Sequence, residues 1–277
     1  MSEPSLRNKT IKGVGWSAAD AFLGQGITFV VGIILARLLS PEEYGMIGIC
    51  LIFTTILNGI VDSGFSNAIM RKKEVTNEDY NTMFITNMVV SIVLYALLYF
   101  LAPLISSFFQ MELTSIVRVI GLVVIINGLS LTQQTNLTKK IDFKTKTKAS
   151  IVSAILSGVI GIGMAYAGFG VWALVAQLLS KQTVYTIALW ILNRWMPNFH
   201  FSIESCKYMW GFGWKLLVSG LLDRLWTQMY QVVVGKFYNA ATLGQYTRGR
   251  EYANIFSLLH PLRLQNKRRF FGVYRRV

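Results

Sequence analysis

The fold of this chain is decided by residues 14–73, which read VGWSAADAFLGQGITFVVGIILARLLSPEEYGMIGICLIFTTILNGIVDSGFSNAIMRKK. A polar turn at Pro41 separates two apolar runs of roughly 20 residues, each enough to cross about 30 Å of hydrocarbon. Both runs are apolar nearly all round, whereas a helix on a soluble protein has one apolar stripe. The stretch therefore predicts a transmembrane hairpin that ends at the basic residues 71–73.

The composition of the whole chain extends this prediction. Of the 277 residues, 53% are hydrophobic and 14% are charged, against about 25% charged in a soluble domain. Backbone polar groups inside lipid must be satisfied within the segment, which favours helices. The short alternating segments of a barrel are absent from the sequence. We therefore predict an all-α integral membrane protein.

Seven spans and the start of an eighth follow from the apolar runs. They are predicted at 16–38, 44–66, 82–105, 114–137, 149–167, 170–193 and 212–235, with the eighth beginning near 246. Turn residues mark the breaks, including Pro41, Pro103 with the serine pair 106–107, and Pro197. Aromatic and polar residues alternate in 198–211, which favours a short amphipathic segment on the cytoplasmic face. This segment divides a six-helix bundle, 1–197, from the start of a second bundle, 212–277.

The basic residues predict the orientation. Thirteen lie on one side of the predicted spans and two, Arg37 and Lys236, lie on the other. Because cytoplasmic loops are enriched in lysine and arginine, the N-terminus is predicted to be cytoplasmic. The net charge of +14 is thus assigned to topology, and no nucleic-acid partner is expected. The thirteen are Arg7, Lys9, Lys12, Arg71, Lys72, Lys73, Lys139, Lys140, Lys144, Lys146, Lys148, Arg194 and Lys207.

A weak internal repeat begins after the predicted linker. Residues 14–16, VGW, recur as FGW at 212–214; residues 36–40, ARLLS, align with GKFYN at 235–239, and Gly45 falls on Gly244. Repeated helical halves are typical of transporters, with the substrate between the halves.

Three stretches of the sequence are distinctive: ARLLSPEEYG at 36–45, DSGFSNAIMRKKEVTNEDYNTMF at 62–84 and GFGVWALVAQ at 168–177. In these stretches the chain resembles the polysaccharide flippases of the superfamily that also holds the multidrug and toxin extrusion exporters. The resemblance implies two six-helix bundles around a central cavity, of which this chain has the first bundle and one or two helices of the second. It also implies translocation of undecaprenyl-pyrophosphate-linked oligosaccharides across a bacterial inner membrane for lipopolysaccharide, capsule or exopolysaccharide synthesis.

The resemblance further implies membrane lipids, a polysaccharide polymerase and glycosyltransferases as partners, with H⁺ or Na⁺ as a coupling ion and no other cofactor. Polar residues inside apolar spans are costly and usually face a cavity. Lys181 is expected to face the substrate or to pair with an internal acid, and Arg118 to line the cavity or to extend to the interface. The predicted substrate-binding residues are Lys181, Gln177, Arg224, Gln228, Arg118 and Asn58.

Three acids inside the spans are predicted candidates for ion coupling. They are Asp20, Asp62 and Asp223. Each has a structural alternative: an ion pair with Lys12 for the first, helix capping or pairing with Arg71 for the second, and packing beside Arg224 for the third.

An enzyme is the rival class, and the sequence argues against it. Metal sites need clustered His, Cys or carboxylate ligands, and the two histidines, His200 and His260, are far apart. The predicted loops are short and mostly basic, which is unfavourable for a membrane glycosyltransferase or ligase. A drug or small-molecule exporter of the same superfamily is the alternative function.

The sequence also predicts an incomplete transporter. The second bundle begins at 212, but the apolar run stops at Pro261, and six basic residues follow between Arg263 and Val277. Such a stretch is too costly for a span, at about 2.5–3.5 kcal/mol for each central Arg or Lys. A half-size protein that dimerises is the alternative.

Overall fold

The computed structural model of this chain describes residues 13, 15–62, 64–198 and 200–259. The described part is built from helices, which we number in chain order. They are α1 (Gly15–Leu38), α2 (Pro41–Asp62), α3 (Phe65–Arg71), α4 (Asn77–Phe109), α5 (Thr114–Lys139), α6 (Phe143–Tyr166), α7 (Val171–Leu192), α8 (Ile203–Phe237) and α9 (Ala240–Leu259). The tail beyond Leu259, with His260, and the basic residues before Gly13 lie outside the described residues.

The hairpin of α1 and α2 confirms the interpretation of residues 14–73. Its turn is closed by a reciprocal cap: the backbone N–H of Ser40 donates to Glu43 Oε2 at 2.6 Å, and that of Glu43 donates to Ser40 Oγ at 3.3 Å. Pro41 occupies the first helical position, where its missing N–H costs nothing. The sequence SPEE thus starts α2 directly after the turn.

The second span, predicted at 44–66, lies within the candidate span Pro41–Arg71, but its helix is divided after Asp62. Gly64 follows with a φ of +70°, in the left-handed region that favours glycine. A Cβ at this position would also lie 2.7 Å from the backbone oxygen of Gly213 on α8. The chain therefore kinks here, and the short helix α3 runs from Phe65 to Arg71.

The predicted break at Pro103 is wrong, because α4 continues through this residue to Phe109. Proline cannot donate to the carbonyl four residues earlier, which is that of Tyr99. Arg118 of α5 supplies a donor instead, with its Nε 3.4 Å from the Tyr99 oxygen. The chain turns at Gln110, whose φ of 55° ends the helix.

The predicted linker 198–211 is only partly separate from the next span. Two residues that precede α8 bind α4 through their backbone N–H groups: Asn198 donates to Asn81 Oδ1 at 3.1 Å and Ser202 to Thr82 Oγ1 at 3.0 Å. From Ile203 onward the amphipathic residues are the first turns of α8, which continues to Phe237. No proline lies between residues 198 and 237, so nothing in the sequence interrupts α8.

Close contacts between small residues pack α1, α2 and α4–α7 into one bundle. A Cβ at Gly158 of α6 would lie 2.6 Å from Val31 of α1, and one at Gly128 of α5 would lie 2.7 Å from Ser91 of α4. Small residues allow helix backbones to approach in this way inside a membrane. The packing of these helices fits the expected first bundle, and the division of the chain at residue 197 stays a prediction.

Alternate turns of the chain lie at opposite ends of the molecule, which is the arrangement expected when successive helices cross a membrane. At one end, Lys72 forms a 2.8 Å salt bridge with Asp79, and Lys139 Nζ donates to the Met70 carbonyl at 3.0 Å. At the other end, Lys236 Nζ donates to the Phe108 carbonyl at 2.6 Å. Which end faces the cytoplasm stays a prediction.

The internal repeat reappears as a symmetric crossing of α2 and α9. Gly45 packs against the backbone of Ala240, and Gly244 packs against that of Pro41. The shift that aligns Gly45 with Gly244 also aligns Pro41 with Ala240. Gly48 meets Thr247, its own counterpart under this shift. An approximate two-fold axis near Gly48 therefore relates α2 to α9 at this crossing.

Five of the described helices are long and apolar enough to cross a membrane by length and composition: α1, α2 with α3, α4, α5 and α6. The chain is therefore a multi-pass membrane protein with an all-α fold. The predicted spans in α7 and α8 form helices of 22 and 35 residues, and their passage through lipid stays a prediction.

Candidate functional site: a polar cleft between the bundle and α8

Helices α2 and α8 meet around a cation from the second repeat, and we call this part of their interface the cleft. The guanidinium of Arg224 lies directly on the backbone of α2 at Gly59, where any side chain would overlap it. Arg224 lies near the middle of the predicted span 212–235 and is only partly exposed. Glycine at position 59 is thus what admits this positive charge between the two repeats.

A network of amide and hydroxyl side chains lies in the bundle and reaches α2 at Asn58, the residue before Gly59. Asn127 Nδ2 donates to Asn58 Oδ1 at 3.0 Å, and Gln182 Nε2 lies 3.4 Å from Asn127 Oδ1 and 3.3 Å from Ser130 Oγ. Gln134 Nε2 donates to the same Ser130 hydroxyl at 2.9 Å. The network joins α2, α5 and α7 and consists of neutral donors and acceptors.

Further polar residues line the α8 side. Arg250 of α9 donates to Gln228 Oε1 at 2.8 Å. Gln228 and Gln231 are buried, whereas Asp223 and Thr227 of the same helix are exposed. Arg224 of α8 and Arg250 of α9 therefore both belong to the second repeat, whereas the network in the bundle is uncharged.

The structure places Lys181 in a pocket inside the bundle, apart from Arg224. Its Nζ donates to Thr28 Oγ1 at 3.3 Å. The pocket has a volume of about 290 Å³, and its polar lining includes Thr54, Ser153 and Tyr185. Because Gln182 lines the same pocket and belongs to the amide network, the two regions are neighbours.

Asp20 lies close to Ser150, which lines this bundle pocket. Residues Asp20–Gly24 form a π-helical turn within α1, a feature often found at functional sites. The position that a Cβ of Gly24 would occupy is 3.2 Å from Asp20 Oδ1 and 3.3 Å from Ser150 Oγ. Among the described residues, none donates a hydrogen bond to this buried Oδ1. Its predicted partner Lys12 lies outside the described residues.

The other two candidate acids have different surroundings. Asp62 accepts a 2.7 Å hydrogen bond from Ser66 Oγ, to which Thr135 Oγ1 of α5 donates at 3.1 Å. The Arg71 side chain instead stacks on Phe212, 4.3 Å from the ring centre. Asp223 is exposed on α8. The three acids therefore do not form one cluster.

Two of the predicted substrate ligands lie away from the cleft. Gln177 packs against α6, where a Cβ at Gly161 would lie 2.9 Å from the Cβ of Gln177. Arg118 is stacked on Tyr99, 4.2 Å from the ring centre, beside the carbonyl that Pro103 leaves without a donor. A ligand role for either residue stays a prediction.

The sequence alone did not single out Gln182 or Arg250. Gln182 adjoins Lys181, and a one-residue step turns a helix side chain by about 100°, so its direction depends on helix rotation. Arg250 belongs to a run of polar residues in α9 that resembles an ordinary solvated face. Contact with Gln228 is what assigns it to the cleft.

The fold and the cleft define an α-helical membrane protein in which packed helices meet the beginning of a repeated unit around a partly buried arginine. The family model described as "Polysaccharide biosynthesis protein" matches residues 34–259. The chain belongs to this family.

Curated relatives agree with this assignment. The chain is 26% identical over 254 residues to the succinoglycan biosynthesis transport protein ExoT of Rhizobium meliloti, covering 91% of this chain and 51% of ExoT. It is 28% identical to the teichuronic acid biosynthesis protein TuaB of Bacillus subtilis, covering 91% and 53%. The lipopolysaccharide biosynthesis protein WzxC of Escherichia coli is 25% identical, with coverage of 87% and 50%. The chain thus spans about half the length of these relatives.

A solved structure supports the fold. It is described as the inward-facing conformation of a multidrug resistance MATE family transporter of the MOP superfamily, and it matches with a TM-score of 0.56 at 17% identity. The match covers 85% of this chain and 60% of that transporter. The predicted MATE-like architecture is therefore confirmed at the level of the fold.

Proposed function

We propose that this chain forms half of the translocation pathway for an undecaprenyl-pyrophosphate-linked oligosaccharide in the bacterial inner membrane. The observation that carries the proposal is the guanidinium of Arg224, which lies on Gly59 between the two repeats. The family and the names of the curated relatives support a role in polysaccharide export rather than an enzymatic one.

Each side of the cleft suits a different part of this substrate. Guanidinium groups bind phosphate oxygens in a bidentate geometry, and Arg224 and Arg250 would hold the pyrophosphate. The amide network centred on Asn127 would bind sugar hydroxyls, because amides both donate and accept hydrogen bonds. Gln228, already bonded to Arg250, would fix the direction of that arginine.

Movement would follow alternating access, in which the repeats rock about the cleft. A coupling ion, H⁺ or Na⁺, would act through one of the three candidate acids. Asp20 has the strongest support, because its Oδ1 is buried in a π-helical turn beside a polar pocket. The N-terminus would be cytoplasmic, and a polymerase and glycosyltransferases would be the protein partners.

Binding to the purified chain in lipid nanodiscs tests this proposal. The probe is a fluorescent undecaprenyl-pyrophosphate-linked oligosaccharide, and the readout is fluorescence polarisation. Arg224→Ala removes a charge-assisted contact of about 1.5–3 kcal/mol, so affinity should fall by a factor of about 10 to 150. Lys215→Ala is the matched control, since this exposed lysine lies on the same helix outside the cleft and next to Trp214.

Two outcomes would overturn the proposal. One is equal affinity for the parent, the Arg224 variant and the Lys215 variant, which would leave the cleft without a role in binding. The other is saturable binding of a cationic dye such as ethidium with no binding of the lipid-linked oligosaccharide. That result would support the small-molecule exporter instead.

A further inference from the structure

An apolar groove runs along the outside of the cleft, between α2, α4 and α8. It has a volume of about 580 Å³, and its lining atoms are almost entirely apolar. The α4 wall is open to the surroundings: Leu101 is 39% exposed and Leu104 is 65% exposed. Residues from all three helices contribute, among them Ile52, Phe53, Leu57, Leu101, Leu104 and Val232.

The groove and the cleft share one face of α2. Ile52 and Ile56 line the groove, and they precede Gly59, on which Arg224 lies, by seven and three residues, which is the spacing of one helix face. On α8 its wall is Val232, eight residues beyond Arg224 in the sequence, or about 12 Å along the helix. A charged group at Arg224 and an apolar chain in the groove could therefore belong to one molecule.

The depth of Arg224 in the membrane argues against an ordinary phospholipid as the molecule that occupies both the cleft and the groove. This arginine is 13 residues from Phe237, the end of α8, which corresponds to about 20 Å of helix. An ordinary phospholipid keeps its phosphate at the edge of a hydrocarbon layer about 30 Å thick. Its phosphate would therefore not reach Arg224 while its acyl chain fills the groove. A lipid whose pyrophosphate has been drawn into the cleft would satisfy both ends.

We infer that the α2–α4–α8 groove binds the polyprenyl chain of the lipid-linked substrate while its pyrophosphate is at Arg224. This inference rests on the proposed function, and it adds a site for the tail to the site for the head group. Branched and aromatic walls, including the edge-to-face pair of Phe53 and Phe109 with ring centres 6.4 Å apart, give the groove a defined shape. The cleft would then recognise the charge, and the groove would recognise the isoprenoid.

Site-specific photocrosslinking in proteoliposomes tests the inference. A benzophenone amino acid replaces Leu101 in the groove or, as the control, Val159, which is 67% exposed on α6. The probe is radiolabelled undecaprenyl pyrophosphate without sugar, so that the tail is examined independently of the glycan. Labelling at 101 should exceed that at 159 by about tenfold, which corresponds to about 1.4 kcal/mol of preference. A straight-chain alkyl pyrophosphate of equal length should compete poorly.

The outcomes separate the tail site from the proposed function. Equal labelling at both positions, or full competition by the straight-chain compound, would make the groove an ordinary lipid-facing surface and overturn the inference. Binding of the sugar-bearing lipid to the parent would leave the proposed function intact in that case. Selective labelling at 101 that Arg224→Ala reduces would support a single ligand that occupies both sites.

Discussion

The crossing of α2 and α9 should respond strongly to one added methyl group at Gly45. A Cβ there would overlap the backbone carbonyl of Ala240, which cannot rotate away as a side chain can. The next contact along the crossing is also tight: a Cβ at Gly48 would lie 2.7 Å from Thr247 Oγ1, against 3.4–4 Å for an ordinary contact. Gly45→Ala should therefore push the two helices apart.

The size of the effect follows from the cost of overpacking, which is typically about 1–3 kcal/mol. If the closed crossing bears this cost and a separated one does not, the population of the separated state rises by a factor of about 5 to 150. Thr247 is a suitable reporter because it is 4% exposed and faces Gly48. Thr247→Cys, combined with Cys206→Ser, leaves the buried Cys50 as the other thiol.

The assay is the rate of maleimide labelling at position 247 in nanodiscs. The parent should react slowly, and Gly45→Ala should raise the rate within the stated range. Gly26→Ala is the control, since this helical glycine has no atom within 4 Å of its Cβ position and gains the same helix propensity. Unchanged labelling in a folded Gly45→Ala protein would refute the tight crossing. An equal increase in the Gly26 variant would indicate general loosening instead.

Three further results are expected. Lys181→Ala should weaken binding of the lipid-linked oligosaccharide about tenfold if this lysine contributes one charge-assisted contact, and unchanged affinity in the polarisation assay would assign it to the interior of the bundle. Lys144→Cys, in the predicted cytoplasmic loop 140–148, should react with an impermeant maleimide only from the cytoplasmic side, and labelling of intact cells would reverse the orientation. Asp79→Ala removes the 2.8 Å salt bridge to Lys72 and should lower the free energy of unfolding by about 1.5–3 kcal/mol; thermal unfolding no different from that of Glu78→Ala, the exposed neighbour, would contradict this.

Helix positions were largely predictable because the backbone of a long apolar run in a membrane must satisfy its own hydrogen bonds, which a helix does. The first hairpin illustrates this: the SPEE turn contains its own proline and reciprocal cap. The prediction of a helix break at Pro103 was wrong because a residue distant in the sequence compensates for the proline. Arg118 donates to the carbonyl that Pro103 leaves open, and α4 continues where a break was predicted.

The sequence by itself determined the all-α membrane class, the hairpin order, the repeat and the family, because each depends on composition and spacing along one chain. The tertiary structure alone decided which polar residues share a site. Lys181 and Arg224 were equally plausible cavity cations by pattern, yet one lies in a pocket inside the bundle and the other lies on Gly59 between the repeats. The physical reason is that the direction of a side chain depends on the rotation of its helix, and that rotation is set by packing against helices distant in the sequence.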